Sequence, residues 1–167
     1  MSVKFDAEDL VNMLYDIMTT GSALNNQIAA VDAEKTANGQ TLTPALSSVD
    51  SSAYYPQSWT DKILNSSPAI FYGIEDVVTE DGGGVTAKTY KLFVEMVLVD
   101  SGQTNDAWKR IARYSRALEE LFLANFAPNI EAGNIKISQV RPIAFKTSLD
   151  SDEEIKIGGI SITIALV

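Results

Sequence analysis

Apolar positions at Leu10, Leu14, Ile17, Met18, Leu24, Ile28 and Val31 recur at helical spacing, a stripe that predicts one long helix or two in series. Asp6 reads as the N-cap and Asp9 as the third helical residue of a capping box, with Phe5 stapled to Leu10 across the first turn. The stripe runs through Gly21, the weakest helical residue in it, so the joint is expected there. From Thr36 to Thr60 the period disappears in "TANGQTLTPALSSVDSSAYYPQSWT", a long excursion rich in Ser, Thr, Gly and Pro. Tyr54, Tyr55 and Trp59 within it supply large contact area at low entropic cost, for another molecule or a neighbouring copy, or else for the chain's own core.

Beyond Pro68 the pattern changes to period two. "PAIFYGIEDVV" and "TAKTYKLFVEMVLVD" read as two strands around the turn "TEDGGG". In the second, Tyr90, Leu92, Val94, Met96 and Leu98 share an apolar face, while Lys91, Phe93, Glu95, Val97 and Val99 form a mixed one. Helical spacing returns from Asn105 to Phe126. Ile111, Leu118 and Phe122 centre the apolar arc there, with Trp108, Ser115 and Phe126 beside them. Two more strands, Ile135 to Thr147 and Ile155 to Leu166, form a second hairpin around "SLDSDEE". Pro142 places the first of them at a sheet edge or a bulge, because proline cannot donate to a ladder. After Lys156 the last strand carries no charge, so it should be central in the sheet or covered by another subunit. The order predicts a single α+β domain over residues 1–167: a mostly antiparallel four-stranded sheet of two hairpins, with helices packed on one face.

Composition narrows the chemistry. The chain has 167 residues with neither cysteine nor histidine. Disulfides, thiolate nucleophiles, Ser-His-Asp triads and most zinc sites are thereby excluded. The acidic N-terminus is unlike a signal or transit peptide, and no stretch approaches the roughly 20 apolar residues of a membrane helix. A soluble protein of the cytoplasmic side is expected. The Gly82 to Gly84 run lacks the Lys-Ser/Thr of a phosphate cradle. Glu75, Asp76, Glu80, Asp81, Asp150, Asp152, Glu153 and Glu154 could coordinate Mg²⁺ in a small carboxylate-dependent enzyme, though nearly all fall in expected turns. A ligand-binding α+β module is another alternative.

Against a net charge of −9, the cations Lys109, Arg110, Arg113 and Arg116 cluster early in the third helical segment. There they oppose the helix dipole, at a few tenths to ~1 kcal/mol each. The wheel puts Lys109, Arg113 and Arg116 opposite the apolar arc, pointing away from the core. A solvated face, a nucleic-acid contact and a contact with an acidic patch on an identical neighbour all fit. The negative net charge disfavours phosphate binding, and complementary potentials fix register, which favours the third. "DSDEE", Asp150 to Glu154, and "EDVVTED", Glu75 to Asp81, are the candidate patches. The interface residues expected on this reading are Lys109, Arg113 and Arg116 against Asp150, Asp152, Glu153 and Glu154. A contact between different patches of identical subunits is heterologous and closes into a ring when the rotation allows.

The opening amphipathic helix, the hairpin ending in "KLFVEMVLVD", the "NDAWKRIARYSRALEELF" helix and the closing "VRPIAFKTSLDSDEEIKIGGISITIALV" hairpin cover most of the chain. In that order they resemble the tail terminator, or tail completion, proteins of long-tailed bacteriophages. The resemblance implies a homohexameric ring without catalytic site or cofactor. Such a ring would cap the tail tube at the head-proximal end of the virion tail and offer the docking surface for the head connector. It implies as partners the tube protein, with sheath and head-side neck proteins as further candidates, and assembly in the host cytoplasm; a head-tail connector or neck role is its sister reading. Six copies would carry a formal charge of about −54, and an acidic lumen would let DNA pass without trapping it.

Overall fold

The computed structural model describes residues 6–41, 45–57, 67–100, 106–125, 133–147 and 154–166. The expected staple at Phe5 and the placements of Trp59, Phe126, Asp150, Asp152 and Glu153 lie outside the described residues.

Helix α1 (Ala7–Thr19) starts on the expected reciprocal cap. The Asp9 N–H donates to Asp6 Oδ1 and the Asp6 N–H to Asp9 Oδ2, both at 3.0 Å. Leu10, Leu14 and Met18 are fully buried along its inner face. The joint falls at Gly21, as the stripe predicted. A 3₁₀ turn over Thr20–Ser22 puts Gly21 at φ 60° and Ser22 at φ 59°, a left-handed pair that only the first residue adopts without steric cost. Helix α2 (Ala23–Ala37) then buries Leu24, Ile28 and Val31.

The sheet contains β1 (Tyr54–Tyr55), β2 (Ala69–Gly82), β3 (Val85–Asp100), β4 (Gly133–Thr147) and β5 (Glu154–Leu166), in the order β1-β2-β3-β5-β4. Its four long strands pair antiparallel, while β1 is a short parallel addition to β2. The α+β class and the mostly antiparallel sheet are therefore as expected, with β1 a strand that the excursion's composition did not announce. The first hairpin is longer than predicted. Strand pairing continues to Gly82 and Val85, and the turn shrinks to Gly83 and Gly84 at φ 61° and 85°. Two consecutive positive φ values are what a two-residue hairpin turn requires, so Thr79 to Asp81 belong to the strand.

Tyr90, Leu92, Val94, Met96 and Leu98 are all buried, whereas Lys91 on the alternate face is exposed. Strand β5 lies between β3 and β4, which gives its uncharged sequence the central position that an edge would have made hazardous. Strand β4 is terminal in the sheet, and the register slips between Arg141 and Ala144, around Pro142. The proline thus occupies an edge and an irregularity together.

Helix α3 (Asp106–Asn125) crosses β5 at Gly158. A Cβ there would sit 2.3 Å from Ser115 Oγ and 2.9 Å from Ile111 Cγ1, so the approach of helix to strand depends on the missing side chain. Helix α1 reaches the sheet through Tyr15, which stacks on Tyr72 at 6.1 Å between ring centroids and meets Tyr54 edge-on at 5.9 Å.

Candidate functional site

The basic helix α3 packs on two partners, the sheet and helix α2, and the second changes the fate of its cations. Arg113 is only 5 % exposed, with Nη1 2.5 Å from Asp32 Oδ1 on α2. Arg116 donates from Nη2 to Glu34 Oε2 at 2.5 Å and from Nε to Glu120 Oε1 at 2.6 Å. The other oxygen of Glu120 accepts from Gln27 Nε2 at 2.7 Å. These bonds, to Glu34 first and Glu120 second, raise the Arg116 pKa above its ordinary value. Lys109 alone of the three expected interface cations is mostly exposed, its side chain 73 % accessible and paired with Asp106 at 3.5 Å.

The expected outward direction of the stripe is thereby corrected. Arg113 faces inward because its carboxylate partner is supplied by the same chain, and Arg116 spans the seam between the two helices. A wheel drawn against one packing surface put Trp108 beside the core and Arg113 opposite it. The structure leaves Trp108 40 % exposed and buries Arg113. The dipole cost of cations in the first turns of α3 is offset by the acids of α2 and by Glu120.

The seam also anchors the excursion between α2 and β2. Asp32 Oδ2 accepts the Leu46 N–H at 2.6 Å, so one carboxylate serves Arg113 and the loop together. The Tyr114 hydroxyl donates to the Ser47 carbonyl and accepts its N–H, both at 2.9 Å. Burial pushes the Tyr114 pKa up, and the Ser47 bond opposes that. Asn25 repeats the two-way clamp on Val49, at 2.8 and 3.1 Å. From there the chain enters β1, where Tyr54 meets Tyr15 and Tyr55 stacks on Phe71 at 4.9 Å. Burial, reinforced by Tyr15, pushes the Tyr54 hydroxyl up to about 12. Of the three aromatic contact candidates, Tyr54 and Tyr55 are half-buried against their own domain.

A groove of about 650 Å³ opens between the end of α2 and the start of α3, lined by Lys35, Lys109, Arg113 and Arg116 among others. Its cations face Asp106 on the lining and Asp32, Glu34 and Glu120 through ion pairs. Little net positive potential is left for a phosphate.

The acids of Glu75–Asp81 lie on the outer half of β2, where every residue from Glu75 to Gly82 is exposed. Val77 and Val78, pointing to opposite faces, are 43 % and 40 % exposed. Glu154 opens β5, at the opposite end of the sheet from the hairpin turn. The structure does not bring Glu154 near the β2 acids. Among the described residues no cluster of three or more acids is arranged to hold a metal ion, and no helix is long and apolar enough to cross a membrane.

The α2–α3 seam was missed in the sequence although its signal is there. The polar stripe Gln27, Asp32 and Glu34 on α2 is the complement of Arg113, Arg116 and Glu120 on α3. Comparison with known proteins adds nothing to this geometry: no protein-family model and no curated protein sequence matches the chain.

Proposed function

We propose that this chain is a structural virion protein whose copies assemble into a ring. The ring caps the phage tail tube at its head-proximal end and presents the surface on which the head connector docks. The observation that carries this reading is the β2–β3 hairpin. Its β2 arm is exposed from Glu75 to Gly82, yet keeps two valines on opposite faces in solvent. An exposed arm with apolar residues on both sides supports contact with a neighbouring subunit more readily than it supports a solvated decoration. The order of helices and hairpins along the chain, through which it resembles tail terminators, supports the specific assignment.

Charge supports the conduit role. Arg113 and Arg116 are engaged by carboxylates of their own chain, and the net charge of −9 per copy repels DNA from the inner wall. Arg113 is buried inside the subunit, so on this reading the self-contact uses other surfaces. On this reading the chain works by assembly, without catalysis or cofactor, in the host cytoplasm and then in the virion.

The test is complementation. Particles made without this chain should accumulate unjoined heads and tails, purified protein should join them, and a gold label on it should mark the tube end nearest the head. Label on the head vertex before joining would reassign the chain to the neck. Normal joining without the chain would refute the proposal.

A further inference from the structure

We infer that copies of this chain join by continuing their sheets, the outer stretch of β2 on one copy pairing antiparallel with β4 of the next. The inference rests on the ring reading above and names the contact that builds it. Three independent features of the two sheet edges lead to it.

The first is where the edges are open. On one side, β1 covers β2 only at Ile70 and Phe71, so among the described residues β2 has no outer partner strand from Tyr72 to Gly82. On the other side, β4 has no outer partner strand among the described residues and is regularly paired to β5 from Gly133 to Ser138, before the slips around Gln139 and Pro142. The register aligns these stretches. Thr79, Lys88, Leu166 and Gly133 form one row across the sheet, and Asp76, Lys91, Thr163 and Lys136 form another. The obstructed parts coincide too, since the row of Phe71, under β1, is the row of Arg141 beside the proline.

The second is direction. Three successive antiparallel pairings make β2 and β4 run opposite ways. A neighbour carried along the sheet therefore presents its β4 antiparallel to β2, which continues the ladder with the same pattern of bonds. The outward donors of β2 are identifiable. Ile70 N–H turns outward to the Ala53 carbonyl at 2.8 Å, and alternation with the one-residue slip between Ile74 and Asp76 makes Val77 and Thr79 outward as well. Val77 N–H fits this, because its bond goes to the Asp76 carboxylate at 2.9 Å.

The third is charge. Strand β2 carries Glu75, Asp76, Glu80 and Asp81 and no base, while β4 carries Lys136, Arg141 and Lys146 and no acid. Like edges repel, which disfavours β2 on β2 and β4 on β4, and unlike edges attract. The same charges that block indiscriminate edge pairing thus select the heterologous contact, the kind that can close into a ring.

The test uses the full chain with charge reversals at one edge or the other. One variant carries Asp76→Lys with Glu80→Lys, and a second carries Lys136→Glu with Arg141→Glu. Native mass and sedimentation should show the wild type as a closed oligomer. Each variant alone should need more than ten times the protein concentration for half-assembly. An equimolar mixture of the two should assemble again, since each then offers the edge the other lacks, and that rescue certifies that both are folded. Thr79→Pro, which removes an outward donor without touching the β3 ladder, should weaken assembly while melting close to wild type. A wild-type chain that remains monomeric, variants that assemble like wild type, or a mixture that stays dissociated would overturn the inference. Rings that obey these rules but do not mark tail ends would refute the proposed function and leave the edge pairing standing. Capped tails indifferent to the edge variants would do the reverse.

Discussion

Arg113 lies 5 % exposed against Asp32, so truncating it strands a carboxylate that is itself only 14 % exposed. We expect Arg113→Ala to cost about 3 kcal/mol, the lower end for breaking a buried pair, because Asp32 keeps its bond from Leu46. For a chain of this size that is a fall of roughly 10 °C in melting temperature, measurable by circular dichroism. An unchanged melting curve would show that Asp32 is solvated after all. Tyr54 gives a second expectation. Its hydroxyl titrates near 12 in the folded chain against about 10 when unfolded, so the unfolded chain loses this proton first as pH rises. The contribution of Tyr54 is fully present below about pH 10 and is lost between about 10 and 12. Urea midpoints should fall across that window, and Tyr54→Phe should flatten the fall. With no histidine in the chain, little change is expected between about pH 6 and 9.

At the scale of elements, two adjacent glycines of β5 set two different contacts, Gly158 the approach of α3 and Gly159 the approach of β3. A Cβ at Gly158 would meet Ser115 Oγ at 2.3 Å, whereas one at Gly159 would meet the Val94 carbonyl oxygen at 2.1 Å and Glu95 Cα at 2.8 Å. Backbone cannot swing aside as a side chain can. Gly159→Ala is therefore expected to cost more than Gly158→Ala, with both in the range of roughly 1–3 kcal/mol for overpacking or above it. Adding Ser115→Ala should recover part of the Gly158 loss and none of the Gly159 loss, a comparison that chemical denaturation of the four variants resolves. The elements that could be read from sequence were those governed by local rules. Asp6 and Asp9 make a cap by spacing alone, Gly21 is a weak point in a helical stripe, the β3 alternation states which side is core, and the charge-free run after Lys156 calls for cover, which a central β5 provides. What could not be read depended on pairing at a distance. The burial of Arg113 required knowing that α2 brings Asp32 alongside. The place of Tyr54 and Tyr55 in β1 required the clamps from Asn25 and Tyr114. The tightness of the hairpin turn turned on which two of three glycines take positive φ.

For the whole molecule, one contiguous buried cluster links α1, α2, the segment around Val49 and Ala53, the sheet and α3. The charged seam between α2 and α3 reinforces that body from within, and among the described residues the sheet edges and the β2–β3 arm are surfaces open to assembly. In the proposed ring, subunits at −9 each would repel one another, so its cohesion would have to come from short-range contacts, the proposed ladder hydrogen bonds and opposed edge charges among them. The decisive measurement is an electron cryomicroscopy map of the assembled particle at a resolution that separates strands. In the ring, density for β4 of one subunit should run antiparallel to β2 of the next at about 4.8 Å, making one continuous sheet across each junction. A ring whose β2 and β4 edges both face solvent, with subunits joined through other surfaces, would contradict it.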